Sequence, residues 1–256
     1  MDKCFVDKNS VVREIWGKAD TVLFIFAGAA AEFALNKAVD WLYFTGRLPA
    51  DPLGRLFSTV TYARKIIFSK EEEALKSIDL ITAIHLDVER KRGEQIPAWA
   101  YRDVLFLLID YSIRSFELLE HQLSDTEKTE VFEVFKRVGL RMQLTGLPKD
   151  YYDWQIMREA HLQQNLVNSA FTIDLYRQYK RHLGSIRYVL LIQVQQMLVP
   201  RKVKGMLFSG EVTWLYPALL LYKFTRLIKL NGFLKDALLP KAYKEQIKQL
   251  DINRTN

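Results

Sequence analysis

Helix-start signals punctuate this chain at short intervals, and the segments between them read as helix. Ser69-Lys-Glu-Glu72 and Ser124-Asp-Thr-Glu127 each place a serine three residues ahead of a glutamate, the reciprocal arrangement of a capping box. Asp51-Pro52 supplies a third start, an acceptor side chain followed by a residue whose fixed φ suits the first helical position. Between these points apolar residues recur at three- and four-residue spacing. Eleven Gly and seven Pro leave few further breaks. The pattern predicts an all-α protein: a single multi-helix globular bundle around an apolar central helix, without strand pairs, internal repeats or low-complexity runs.

The predicted order begins with one long apolar helix from about Ala19 to Phe44, ended by Thr45-Gly46 and Leu48-Pro49. A second helix carries Arg55 to about Phe68. A third opens on the Ser69 box and stops at Arg92-Gly93, where cations and a glycine suit a C-terminus. Further helices run from Pro97 through Glu120, from the Ser124 box to about Met142, and from Ser185 to Leu198, and more than one helix lies between Asp150 and about His182. Pro200 breaks the chain, and a basic helix is predicted near 211–230.

Thr21 to Ala31 is a run of eleven uncharged residues followed by Glu32. A bilayer span needs about twenty, so the run reads as a buried core helix. The first eight residues lack the apolar core of a signal peptide. The single cysteine, Cys4, excludes an intrachain disulfide and a multi-cysteine metal centre, and fits a reducing compartment. A cytoplasmic protein is expected.

Charge is concentrated at one end. From Arg201 to Asn256 eleven Lys/Arg face four Asp/Glu, an excess of seven that equals the net charge of the whole chain. The expected organisation is therefore a helical core over 1–200 and a basic helical extension over 201–256 packed on it. Lys223, Arg226 and Lys229 stand among aromatics and leucines. Such a helix either docks on the core with a solvated basic edge or touches an anionic membrane, here through 201–248. No nucleic-acid reading motif accompanies the charge.

Candidate chemistry centres on His85. Ile78, Ile81, Thr82 and Val88 share its helix face, which points the imidazole inward. An inward imidazole either ligates haem iron or is a core histidine satisfied by a neighbouring carbonyl. Arg55, Ser58 and Thr59 share the face of the preceding helix. A buried guanidinium needs an anion, which a haem propionate or a carboxylate such as Asp51, Asp79 or Asp110 would provide. Asp110 interrupts an apolar stretch and has Arg114 four residues on as its partner by sequence. His121, His161 and His182 are weaker candidates. Zinc and di-iron spacings, glycine-rich phosphate loops and serine-hydrolase elbows are absent.

Ala27-Gly-Ala-Ala-Ala-Glu-Phe-Ala, then Asp51-Pro-Leu-Gly-Arg-Leu-Phe-Ser-Thr59, then His85, then Leu123-Ser-Asp125 resemble one family in order and spacing. It is the catalytic domain shared by rubber oxygenase (latex clearing protein) and the oxygenase of the mycophenolic acid pathway, and the resemblance runs from about Trp16 to Pro200. It implies an all-helical fold around haem b and oxidation of a hydrophobic, isoprenoid or lipid-like, substrate by dioxygen. His85 would then be the proximal iron ligand. Arg55, Ser58 and Thr59 would form the catalytic face, with Arg55 and Thr59 also contacting the cofactor, and Phe24 to Phe33 would line the pocket. Ser58 stands where rubber oxygenase carries a lysine, Leu107 where many relatives have a polar residue, and Leu35-Asn36 where they have His-Pro. These departures mark a divergent branch. The alternative is a non-catalytic, haem-free helical protein that binds lipid or a membrane surface, with His85 and Arg55 joined as a structural pair.

Overall fold

The computed structural model describes residues 3–46, 50–208, 213–215 and 217. Among them are ten helices and no sheet. In chain order they are α1 (Val11–Trp16), α2 (Ala19–Leu35), α3 (Val39–Phe44), α4 (Pro52–Phe68), α5 (Glu71–Arg92), α6 (Ala98–Leu119), α7 (Asp125–Arg141), α8 (Tyr151–Gln164), α9 (Ala170–Leu198) and α10 (Arg201–Leu207). The all-α bundle predicted from the pattern is what forms. No helix among the described residues is long and apolar enough to cross a membrane.

Most boundaries follow local chemistry. Asp51 caps α4 by accepting from the Gly54 N–H at 2.8 Å. Ser124 and Glu127 close a complete capping box on α7, and Gly93 ends α5 in the left-handed conformation. Gly184, at φ 73° and ψ 168°, a conformation open to glycine, kinks α9 close to the break predicted between His182 and Ser185.

Two predictions fail for a shared reason, competition from distant backbone. The helix expected over 19–44 divides at Asn36, whose Oδ1 accepts from its own Ala38 N–H at 2.8 Å. The Leu35 carbonyl accepts from Val167 at 2.7 Å, and Lys37 donates to the Asn165 carbonyl at 2.9 Å, so a loop finishes α2. Ser69 does not cap α5. The Lys3 carbonyl takes the Glu71 N–H at 2.9 Å instead, while the Ser69 carbonyl accepts from Phe5. The short helix α1 lies ahead of the first predicted helix, capped by Ser10.

Helix α2 is apolar around most of its circumference and lies at the centre, packed chiefly against α6 and α9. Gly28 permits that approach, since a Cβ there would fall 2.3 Å from the Tyr111 ring. Trp16 is wholly buried beside it and donates its indole N–H to Ser112 Oγ at 3.1 Å. Helices α4 and α5 pack on one another at one edge of this core. The basic helix expected at 211–230 and the membrane contact through 201–248 lie outside the described residues, apart from α10 and residues 213–215 and 217.

Candidate functional site

The α4–α5 edge carries all four residues singled out by sequence. Arg55, Ser58 and Thr59 are half-buried on the first turns of α4, and His85 is half-buried on the second half of α5. Thr59 Oγ1 donates to the Arg55 carbonyl at 3.2 Å, which leaves the hydroxyl oxygen as an acceptor. Around His85 the α5 residues Ile81, Thr82 and Val88 are also half-buried, and no residue of α5 beyond Ile78 is fully buried. The imidazole therefore points toward the protein, as its spacing predicts, but into a thinly covered edge.

His85 Nδ1 lies 2.8 Å from the Ile81 carbonyl. A carbonyl only accepts, so Nδ1 carries the proton and Nε2 bears the lone pair. Nε2 has no hydrogen-bond partner among the described residues. Burial pushes the His85 pKa below its ordinary value, and the Arg55 charge pushes the same way, against the Ile81 bond and the Glu89 carboxylate. Arg55 thus acts on His85 through its field. Tyr101 of α6 meets the imidazole edge-on at 5.3 Å and donates its hydroxyl to Glu89 Oε1 at 3.0 Å, the oxygen that also accepts from the Ile96 N–H. Ring plane and tautomer are both fixed from behind.

A second polar cluster lies inside the core. Glu32 of α2 is 1% exposed and receives both Arg158 Nη groups of α8, with Nη2 to Oε2 at 2.6 Å. Tyr111 of α6 donates to the same Oε2 at 2.9 Å. Arg158 also donates to Asp110 Oδ2 from Nη2 at 2.9 Å, and Asp110 Oδ1 accepts from Arg114 at 2.7 Å. Burial pushes the Asp110 carboxyl up, but the two guanidinium groups outweigh it and hold it below the usual carboxylate range. Burial beside Glu32 pushes the Tyr111 phenol well up, so it remains a donor. His161 Nδ1 bonds Asp103, which also takes Asn36 Nδ2 at 3.1 Å. His161 Nε2 is buried without a partner, 4.0 Å from Glu32 Oε1. This enclosed cluster ties α2, α6 and α8 together and offers a substrate no approach.

A model of the family described as "ER-bound oxygenase mpaB/B'/Rubber oxygenase, catalytic domain" matches residues 14–247. The chain belongs to this oxygenase family. No curated protein and no solved structure matches it. An oxygenase catalytic domain implies dioxygen and a small-molecule substrate, and the matched span includes Arg55, Ser58, Thr59 and His85.

Within that mpaB/rubber-oxygenase frame, the departures noted in the sequence have definite places. Leu35-Asn36 is where α2 ends, and Asn36 is drawn into the Asp103 cluster. Leu107 is buried apolar core. Phe26 packs edge-on against Trp16 at 6.1 Å, and Phe33 packs near Leu175 and Tyr179 of α9. Of the carboxylates weighed for Arg55, Asp79 pairs with Arg141 and Asp110 with Arg114 and Arg158; Asp51, one turn before Arg55, caps α4. The family signal did not reveal Tyr101 and Glu89 behind the histidine. Glu89 stands four residues after His85, a spacing that sequence alone could have exploited.

Proposed function

We propose that this chain is a haem b-dependent oxygenase acting on a hydrophobic small molecule, isoprenoid or lipid-like. The observation that carries the reading is the state of His85: its Nδ1–H is anchored on Ile81, burial favours the neutral ring, and Nε2 is left open. A neutral imidazole with its second nitrogen anchored is the form that ligates a metal. Among the described residues no three His, Cys, Asp or Glu side chains group to hold a bare ion. A porphyrin brings its own equatorial nitrogens, so one histidine suffices, and the residues present fit it.

Bound haem would supply the iron at which dioxygen is activated. The chain's own residues divide the remaining work. His85 would hold the iron, and Tyr101 with Glu89 keeps its ring from turning. Arg55 supplies a permanent positive charge for the propionates. Ser58 offers a hydroxyl where rubber oxygenase carries a lysine, and a hydroxyl would be a far weaker iron ligand than an amine. Thr59, its proton committed to the Arg55 carbonyl, presents an acceptor. Ile81 and Val88 flank His85 with apolar surface suited to a nonpolar ligand.

The Arg55–His85 hydrogen bond of the haem-free alternative does not form; the Ile81 carbonyl satisfies the ring at Nδ1, as a core histidine would be satisfied, and the haem reading rests on the open Nε2. The deciding experiment is an ultraviolet–visible spectrum of protein expressed with a haem precursor, beside its His85→Ala variant. A Soret band near about 400 nm that disappears in the variant supports the proposal. A colourless wild type, or a variant that keeps the band, overturns it.

A further inference from the structure

The exposed charged side chains of α9 are all basic. From Leu175 to Gly210 the chain has seven Lys/Arg and no Asp/Glu. In the first half of α9, Thr172, Leu175 and Tyr179 are buried, which fixes the inward side. Ile173, Arg177, Lys180 and Arg181 fall on the opposite side by helical spacing, and all four are exposed. Ile173 is 53% exposed. The three cations form no ion pair among the described residues. Asp174, the neighbouring carboxylate, is turned toward α3, where it accepts from Tyr43 at 3.0 Å.

The same end of α9 presents apolar surface. Phe171 meets the Tyr43 ring at a tilt, with centroids 4.6 Å apart, and remains partly exposed, and Phe44 on α3 is exposed as well. On α5 and α7, by contrast, surface cations are paired along the helix: Lys76 with Glu72, Lys91 with Asp87, and Lys136 with Glu133. Apolar side chains beside unneutralised cations match a bilayer surface, where headgroup phosphates meet the cations and the acyl boundary takes the apolar groups. A nucleic acid would use the cations but has no comparable use for an exposed isoleucine.

We propose that the outward face of α9 carrying Ile173, Arg177, Lys180 and Arg181, with Phe171 and Phe44 on its α3 flank, is a docking surface for an anionic lipid bilayer. Helix α9 also packs on α4, which carries Arg55, Ser58 and Thr59. Docking would therefore bring the candidate site close to a reservoir of apolar molecules. Only this last point rests on the proposed oxygenase reading; the surface itself does not.

The test is co-sedimentation of the full chain with phosphatidylcholine vesicles, with and without phosphatidylserine, at low and high salt. Because residues beyond 200 are also basic, the decisive variants lie on α9. The wild type is expected to bind only the anionic vesicles and to release in high salt. Arg177→Glu with Lys180→Glu should lower partitioning by at least roughly thirtyfold, since each cation near such a surface contributes about fivefold. Ile173→Ser should weaken it severalfold with unchanged helical circular dichroism. Absence of wild-type binding overturns the proposal, as does binding that survives the double substitution. Retention on single-stranded RNA without vesicle binding would reassign the face and also overturns it. His85→Ala should bind vesicles as the wild type does, so failure of the haem reading and failure of this one are separable.

Discussion

Arg158 grips Glu32 with both guanidinium arms in the centre of the bundle, 126 residues away in sequence, and reaches Asp110 from the same side chain. Two carboxylates are held at the core by one cation, with Arg114 assisting from the edge.

Removing that cation leaves buried negative charge uncompensated. Arg158→Met is expected to destabilise the fold by about 3–5 kcal/mol in urea unfolding, because the two carboxylates lose their shared partner. A loss below about 1 kcal/mol would show that water or neighbouring groups compensate the carboxylates without Arg158.

The same cluster sets the acid limit. The folded pKa of Asp110 lies below the ordinary value, so its contribution is complete above the unfolded pKa of about 4 and is lost as pH falls through the folded one. Thermal unfolding followed from pH 5 downward should therefore steepen below about pH 4. Asp110→Asn should be less stable at neutral pH and show a shallower acid slope.

His85 gives a second window of similar direction. Its folded pKa is lowered, so the unfolded chain takes up a proton that the folded chain resists. The stabilising difference is complete above about pH 6.5 and declines as pH falls from there through the folded pKa. His85→Gln should remove this component of the pH dependence in haem-free protein. An unchanged profile would mean that the ring titrates freely in the folded state.

Gly28 tests the packing of the central helix. Gly28→Ala places a methyl against the Tyr111 ring, which is itself tied to Glu32, so neither side yields easily. Overpacking of this kind costs about 1–3 kcal/mol, and differential scanning calorimetry should find a lower unfolding temperature. An unshifted transition would indicate that α2 and α6 separate at little cost.

What could be read from the sequence was local. Asp51 and the Ser124 box act within four residues, and each forms as expected. Asp110 with Arg114 is likewise an i,i+4 pair and is found. The Ser69 box fails because a backbone carbonyl from Lys3 occupies the place its side chain would take, a contact with no trace in the spacing. Asn36 looks like one more polar residue in a long helix until residues 165–167 pair with its flanks. Glu32 is visible as a charge in an apolar run, but its partner is distant and unremarkable in sequence. For the site, order and spacing brought the α4 face and His85 to one edge, whereas the Tyr101 brace depends on how α6 crosses α5.

The absence of fully buried residues on α5 beyond Ile78 divides the molecule into a stiff pole and a soft one. Around Glu32 and Arg158, amide hydrogens are expected to exchange only when the whole bundle opens. Around His85 a lifted helix would expose little new apolar surface, so its amides should exchange by local opening. A bulky guest entering at that pole would not require the rest of the protein to unfold.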